Sequence, residues 1–316
     1  MAILAKARTV GVDVAKAELV ISIDGETPFT LDNTPAAIRA WLKSVHGPLR
    51  LALESTGVFH LELACQAHAR GHAVYLIDGY RLNRYREGVG GRAKTDASDA
   101  RLLVRYLRNE GADLRPWMPP SRDYQALQRL IHRRATVVRA RTAIQQSLRE
   151  IPGLKTTLQA TVRQLDRTIA AIERRIRDTL MRAGWQQQAG RCRQIEGIGP
   201  VTAAALVMAF ARGRFANSDA FIAFIGLDVR IRDSGKKRGQ RKLTKQGDGE
   251  IRRLLYLAAM QAKKQPAWQA FFQRLLDRGL AKIQALNALA RKLARVAFAL
   301  MRNETDYVPK TACGET

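Results

Sequence analysis

The stretch TVGVDVAKAELVISID, residues 9–24, decides the fold of the N-terminal third of this chain. Its apolar residues alternate with other residues in two short runs, which is the period of a β-strand, and the runs are close enough to form a hairpin. A helical pattern and two further apolar runs follow, at 36–42, 50–54 and 73–78. Strand and helix signals that alternate in this way predict an α/β sheet domain.

Composition and charge set the class of protein and of partner. The chain has 316 residues, 46% of them hydrophobic, which is enough to fill the cores of two or three domains of a folded, soluble protein. Its formal net charge is +26, from 54 Lys and Arg against 28 Asp and Glu. The natural partner is therefore a polyanion, and nucleic acid is favoured over a membrane surface because the charge is spread along the whole chain.

The pattern along the chain predicts three domains. The α/β domain covers residues 1–118 and ends in the Pro-rich stretch RPWMPPS at 115–121. A helical segment, 119–185, carries a heptad seam of apolar residues, namely Leu158, Val162, Leu165, Ile169, Ile172, Ile176 and Leu180. Because Pro152 and Gly153 interrupt this segment, we expect a coiled coil that is either a helical hairpin within one chain or a dimer contact. The third domain, 186–316, is mainly helical and is interrupted by one basic loop at 230–245.

Cysteine usage and hydropathy point to the cytoplasm. The three cysteines, Cys65, Cys192 and Cys313, have no metal-ligand spacing, and their odd number argues against a disulfide framework. No apolar run reaches membrane-spanning length. We therefore expect a reduced cytoplasmic protein with no membrane partner.

Four acidic residues are candidates for a metal site. Strand alternation places Asp13 on the face opposite Val10, Val12 and Val14, and Glu54 ends the run at 50–54, at the sheet edge where α/β proteins bind ligands. Asp96 and Asp99 are three residues apart, so that a helix presents both on one face.

Four carboxylates brought together repel one another and are normally held by divalent cations, of which Mg²⁺ is the expected one. Two such cations about 4 Å apart can bind a scissile phosphate and stabilise the leaving oxygen.

The segments GVDVAK (11–16), LESTG (53–57) and KTDASDA (94–100) resemble the three DEDD motifs of the insertion-sequence one-ten (IS110) family of transposases, which also includes DNA invertases. The order and spacing of the motifs fit that family over essentially the whole chain. The resemblance implies an RNase H-like, RuvC-like fold for residues 1–118 and an acidic active site made of Asp13, Glu54, Asp96 and Asp99.

The stretch FIGLDVRIRDSGKKRG, residues 224–239, resembles the motif in which a serine of that family attacks DNA, and the matching residue is Ser234. A serine hydroxyl is a poor nucleophile and needs a base, a metal or a cationic environment, which the neighbouring Arg and Lys residues can supply. The alternative is an ordinary turn, since Asp-Ser-Gly is common in turns. Asp233 is a weaker candidate for assisting the serine, and Thr244 is the second candidate nucleophile.

The sequence IEGIGPVTAAAL at 195–206 has the form of a helix-hairpin-helix, in which glycines permit a tight turn and the next helix offers free N–H groups to a phosphate. An ordinary helix–helix turn is the alternative. The residues expected to contact nucleic acid, mostly phosphates, are Lys94, Gly197, Gly199, Arg230, Arg232, Lys236, Lys237, Arg238, Arg241, Lys242 and Lys245.

Together these features predict a DNA transposase or recombinase in which the carboxylates and Ser234 form a composite site that cuts and rejoins DNA through a phosphoserine linkage. The family resemblance further implies dimers that pair into a tetramer on donor and target DNA, and a structured noncoding guide RNA. Two alternatives remain open. One is a Mg²⁺-dependent nuclease or Holliday-junction resolvase that uses water, and the other is an architectural nucleic-acid-binding protein without catalysis.

Overall fold

The computed structural model describes residues 7–55, 57–90, 95–230 and 241–309 and divides the chain into two compact units, Met1–Pro119 and Pro120–Thr316. The first unit is α/β and the second is mainly helical, as predicted. Within the described parts of the chain, no helix is both long enough and apolar enough to span a bilayer.

The first unit consists of five strands and four helices. In chain order they are β1 (Arg8–Val14), β2 (Glu18–Ile23), β3 (Phe29–Asp32), α1 (Pro35–Ser44), β4 (Leu49–Glu54), α2 (Leu61–Ala69), β5 (Ala73–Ile77), α3 (Gly79–Gly88) and α4 (Asp96–Glu110). The sheet order is β3-β2-β1-β4-β5, with β1, β2 and β3 antiparallel and with β4 parallel to both β1 and β5. The predicted hairpin of β1 and β2 is confirmed, and the central strand is β1.

The two faces of this sheet are covered by different helices. Val10, Val12 and Val14 of β1 are buried against a cluster that includes Ile38 of α1 and Leu63 of α2. Asp13 lies on the opposite face, as strand alternation predicted, together with Gly11. That opposite face is covered by α4.

Gly11 is the point where α4 lies closest to the sheet. A Cβ atom at this position would lie 2.1 Å from the carbonyl oxygen of Ala100 and 2.8 Å from the backbone nitrogen of Val104. Such distances exclude any side chain, because the neighbouring atoms belong to the helix backbone and cannot rotate away. Only glycine allows α4 to pack directly on β1.

The second unit begins with two long helices, α5 (Arg122–Leu148) and α6 (Lys155–Arg182). Three ion pairs join them, between Asp123 and Arg182, Arg134 and Glu173, and Arg141 and Asp166. Along this series the residue number in α5 rises while the residue number in α6 falls, so the two helices run antiparallel within one chain. The hairpin alternative is therefore the observed packing, and a dimer contact through the same seam stays a prediction.

The remainder of this unit is helical apart from two short strands. It consists of α7 (Gln186–Arg193), α8 (Pro200–Ala211), α9 (Ser218–Phe224), β6 (Val229–Arg230), β7 (Lys242–Leu243), α10 (Gly249–Ala262), α11 (Pro266–Asp277) and α12 (Lys282–Asn303). Helix α8 is buried from Thr202 to Ala209 and forms part of one apolar core with α10 and α12. Trp268 and Phe272 of α11 are buried, and Phe271 packs against the same core.

The strands β6 and β7 were not predicted. Val229 pairs with Leu243 and Arg230 pairs with Lys242. The start of the basic loop therefore lies side by side with a part near its end. Two-residue strands have too few positions to show the period-two pattern on which a strand prediction depends.

We expect Gly11→Ala to destabilise the N-terminal unit by about 3 kcal/mol or more, because even a methyl group displaces α4 from the sheet. Urea unfolding followed by circular dichroism measures this. The matched control is Gly88→Ala in α3, where an added Cβ meets nothing within 4 Å, and which we expect to be neutral or slightly stabilising. Equal stability of the two variants would contradict the role assigned to Gly11.

Candidate carboxylate site and nucleic-acid groove

The first two acids of the candidate site lie on neighbouring strands of the sheet. Asp13 is near the end of β1, and Glu54 is the last residue of β4, which runs parallel to β1. The Glu54 carboxyl group is close enough to Asp13 for its negative charge to raise the pKa of Asp13. The Glu54 carboxylate also lies against Gly79 at the start of α3, where a Cβ would come within 2.7 Å of Oε1.

The other two acids lie in the first turn of α4. Thr95 caps this helix: its hydroxyl accepts from the Ser98 N–H at 3.2 Å, and the Ser98 hydroxyl accepts from the Thr95 N–H at 3.0 Å. The cap fixes the start of the helix, which places Asp96 in an exposed position and buries Asp99 to 4% exposure.

The electrostatics of Asp13 show that these four carboxylates are crowded. The pKa of Asp13 is raised from 3.8 to about 6, first by burial and then by the negative charges of Glu54, Asp96 and Asp99. The other three predicted acids therefore all act on Asp13, across three elements of the fold.

Asp99 has a positive partner that sequence reasoning missed. The guanidinium of Arg86 in α3 donates to the Asp99 carboxylate, and both side chains are buried. The pattern of α3 gave no signal for this pair, because Arg86 is one of three arginines in a helix with few apolar residues.

The chemistry of this donor set fits a divalent cation. Carboxylate oxygens are the ligands that Mg²⁺ prefers, and a cation would relieve the repulsion that raises the pKa of Asp13. As the side chains stand, no three His, Cys, Asp or Glu groups among the described residues are close enough together to form a coordination set.

The predicted nucleophile and much of the predicted basic loop lie outside the described residues. These residues are Arg232, Asp233, Ser234, Lys236, Lys237 and Arg238, and Lys94, beside the third acidic motif, also lies outside the described residues. Arg230, Arg241, Lys242 and Lys245 are described and flank this segment, and Lys245 has a φ of 58°, an uncommon conformation for a residue with a side chain. The second candidate nucleophile, Thr244, donates its hydroxyl hydrogen bond to Asp228.

The predicted hairpin at 195–200 lies in the helical unit, and its two glycines have different roles. Gly197 has a φ of 91°, and a Cβ there would lie 2.5 Å from the Ala258 carbonyl oxygen of α10, so this glycine is required by the fold. A Cβ at Gly199 meets nothing within 4 Å, so this residue leaves open space in front of α8.

A cavity of about 990 Å³ opens beside this hairpin. Gly199 and Thr202 line it at the N-terminus of α8, where no side chain caps the helix and no acid lies in the first turn. Arg177 and Arg193 line the same cavity, as does Arg134, which is paired with Glu173. Free N–H groups with arginines around them suit a phosphate. We call this cavity, within the second unit, the hairpin groove.

Comparison with known proteins gives the same picture over both units. A family model described as a transposase, of the DEDD type of IS110, matches residues 10–175. A second, described as "Transposase IS116/IS110/IS902 family", matches residues 189–273.

Individual relatives match most of the chain. A "Pilin gene-inverting protein" of Moraxella bovis is 27% identical, over 84% of this chain and 85% of its own. A "Probable family 20 transposase" of Pseudomonas aeruginosa is 29% identical, over 83% and 86%. The "Insertion element IS116 uncharacterized 44.8 kDa protein" of Streptomyces clavuligerus is 23% identical, over 97% and 98%.

We expect Asp13→Asn to be more heat-stable than the parent at pH 8 in buffer free of divalent cations. Because the pKa of Asp13 is raised, the folded state holds its proton more tightly than the unfolded chain, and the parent loses stability as pH rises from 3.8 through about 6. After discounting for the solvent that screens a half-exposed group, the gain is about 1 kcal/mol, or about 3–5 °C for a domain of this size.

Thermal unfolding followed by circular dichroism at several pH values measures this difference, which should vanish below pH 4. The control is Asp32→Asn, an exposed residue of β3, which should show no such pH dependence. A difference that stays constant from pH 3.5 to pH 8 would show that folding does not raise the pKa of Asp13.

Proposed function

Because the chain belongs to the IS110 family and is a transposase or site-specific recombinase, we propose that it cuts and rejoins DNA with a magnesium-binding carboxylate cluster and a serine nucleophile. The observation that carries the proposal is the crowding of Asp13, Glu54, Asp96 and Asp99 on two parallel strands and the first turn of α4. We further propose that the N-terminal domain is RNase H-like. The sheet order and the antiparallel hairpins that open it support this.

The proposed role of the carboxylate cluster is to bind the scissile phosphate through the cation that it would hold. Bound Mg²⁺ would supply positive charge there. Asp13, Glu54, Asp96 and Asp99 are the residues that would hold it, and Asp13, whose pKa is raised to about 6, must lose its proton to bind as a carboxylate.

Ser234 is the proposed nucleophile. Its Oγ forms a bond to the scissile phosphorus, the bond to the leaving deoxyribose oxygen breaks, and that oxygen takes up a proton while the serine gives one up. A hydroxyl of the new partner strand then attacks the phosphoserine and Ser234 leaves, so the number of phosphodiester bonds is conserved. The support is the Asp-Ser-Gly sequence, its basic neighbours and the pairing of β6 with β7 on either side.

The hairpin groove is the proposed contact to the sugar-phosphate backbone. The uncapped N-terminus of α8 and the side chains of Thr202, Arg177 and Arg193 form it. Such contacts position nucleic acid without reading its sequence. A helix-hairpin-helix is the motif that best fits this arrangement.

Two partners beyond DNA complete the proposal. The resemblance to IS110 transposases implies a homodimer that pairs into a tetramer, with the seam of α5 and α6 as a candidate contact. It also implies a structured guide RNA, which the net charge of +26 supports.

The serine mechanism is tested by incubating the protein with Mg²⁺, the noncoding RNA of its element and labelled donor DNA, and then denaturing the mixture. We expect labelled DNA joined covalently to the parent protein and at least about a thousandfold less with Ser234→Ala. Ser218→Ala, in the same unit, is the matched control and should form the adduct normally.

Each alternative gives a different result in this assay. Cleaved DNA without an adduct in any variant, Ser234→Ala included, would favour a nuclease that uses water. Neither adduct nor cleaved DNA with the parent, together with DNA binding that is unchanged in Asp13→Ala and independent of Mg²⁺, would favour an architectural protein.

The groove is tested with Arg193→Ala and duplexes of unrelated sequence. We expect all of them to bind more weakly by a similar factor, and the slope of log affinity against log salt to fall by about 1, because one phosphate contact is lost. Fluorescence anisotropy at several salt concentrations measures both. Arg278→Ala, at an exposed position just after α11 and away from the groove, should change neither, and an unchanged slope for Arg193→Ala would exclude the contact.

A further inference from the structure

A buried arginine lies beside the candidate metal site. Arg86 is 9% exposed and Asp99 is 4% exposed. One terminal nitrogen of the guanidinium, Nη2, donates to Asp99 Oδ1, and the other, Nη1, donates to Asn83 Oδ1 in the same helix, α3. The planar guanidinium therefore joins α3 to the first turn of α4 and is held at both ends.

This pair is poorly explained as a device for stability. A buried ion pair loses so much hydration that replacing it with apolar residues is often neutral or stabilising. Asp99 is also one of the four crowded acids of the candidate site, so the arginine contacts a functional side chain.

The polar contacts of Asp99 fall on one side of its carboxylate. Within the described chain, Arg86 donates to Oδ1, and the Ser98 hydroxyl, whose proton goes to the Thr95 carbonyl oxygen at 2.8 Å, lies 3.3 Å from Oδ1. No described residue donates to Oδ2, so this oxygen can face a cation. A guanidinium that is hydrogen-bonded to one carboxylate oxygen fixes the rotamer of the aspartate, and therefore the direction in which the other oxygen points.

We propose that Arg86 is a positioning residue that orients Asp99 for a divalent cation. The inference rests on the proposed use of magnesium by this cluster. Arg86 acts through Asp99 and has no assigned contact with substrate.

Two effects of Arg86 on cation binding oppose each other. Its positive charge repels a cation, whereas its geometry prepares the ligand. Lysine keeps the charge but lacks the fork that bonds Asp99 and Asn83 at once, so Arg86→Lys separates orientation from charge.

The experiment measures Mn²⁺ binding to the full chain without nucleic acid, from the loss of the electron paramagnetic resonance signal of free Mn²⁺. We expect Arg86→Lys to raise the Kd about 10- to 100-fold, the effect typical of losing a partner that orients a metal ligand. The matched control is Arg84→Lys in the same helix, whose exposed side chain pairs with Glu87 at 2.9 Å and which should bind Mn²⁺ as the parent does.

A second variant keeps the test decisive if Arg86→Lys fails to fold. Asn83 is exposed, and Asn83→Ala removes one anchor of the guanidinium while leaving the ion pair in place. We expect it to raise the Kd about two- to tenfold, the effect of one lost hydrogen bond.

Unchanged or tighter binding in both variants would overturn the inference, because charge repulsion would then be the only effect of Arg86. Asp13→Asn separates this failure from that of the proposed function. If the parent binds Mn²⁺ no better than Asp13→Asn, the metal site itself is wrong. If Asp13→Asn loses binding while both positioning variants keep it, only the role of Arg86 is wrong.

Discussion

The N-terminal unit depends on the direct packing of α4 against the central strand β1 at Gly11. The helix backbone lies where a side chain would otherwise stand. This contact is two residues from Asp13 on β1 and one residue from Asp99 on α4, so the closeness of sheet and helix is also the closeness of two acids. The same constraint that closes the core brings the carboxylates together.

Bringing the carboxylates together costs electrostatic free energy, and the structure lowers this cost in a different way at each of several groups. Asp13 retains its proton up to about pH 6, and Asp99 is compensated by a buried guanidinium. Asp96 stays exposed to water, where its charge is screened. The folded site therefore favours the binding of positive charge.

Much of this arrangement was predictable from local pattern, and the rest was not. Strand alternation gave the orientation of Asp13, and the spacing of Asp96 and Asp99 placed both in one helical turn, because these depend only on the period of each element. Arg86 was missed because its partner is 13 residues away across a tertiary contact.

The two glycines of the turn at 195–200 show a second limit of prediction from local sequence. The turn at 195–200 was predicted from its glycines, but the sequence could not separate Gly197, which packs against α10, from Gly199, which leaves open space. The local sequence predicts a turn that needs glycine, whereas the packing of distant elements determines the role of each glycine in the fold.

The antiparallel hairpin of α5 and α6 limits how the length of this protein can change during evolution. Its ion pairs match residues at mirrored distances from the turn, so a deletion in one helix alone would misalign every pair beyond it. Changes in length are tolerated at the turn itself, or as equal changes of whole heptads in both helices. Homologues of different size should therefore differ here by paired insertions close to the turn, because Leu127 and Ile131 of α5 and Ile176 and Leu180 of α6, far from the turn, belong to the core of the second unit.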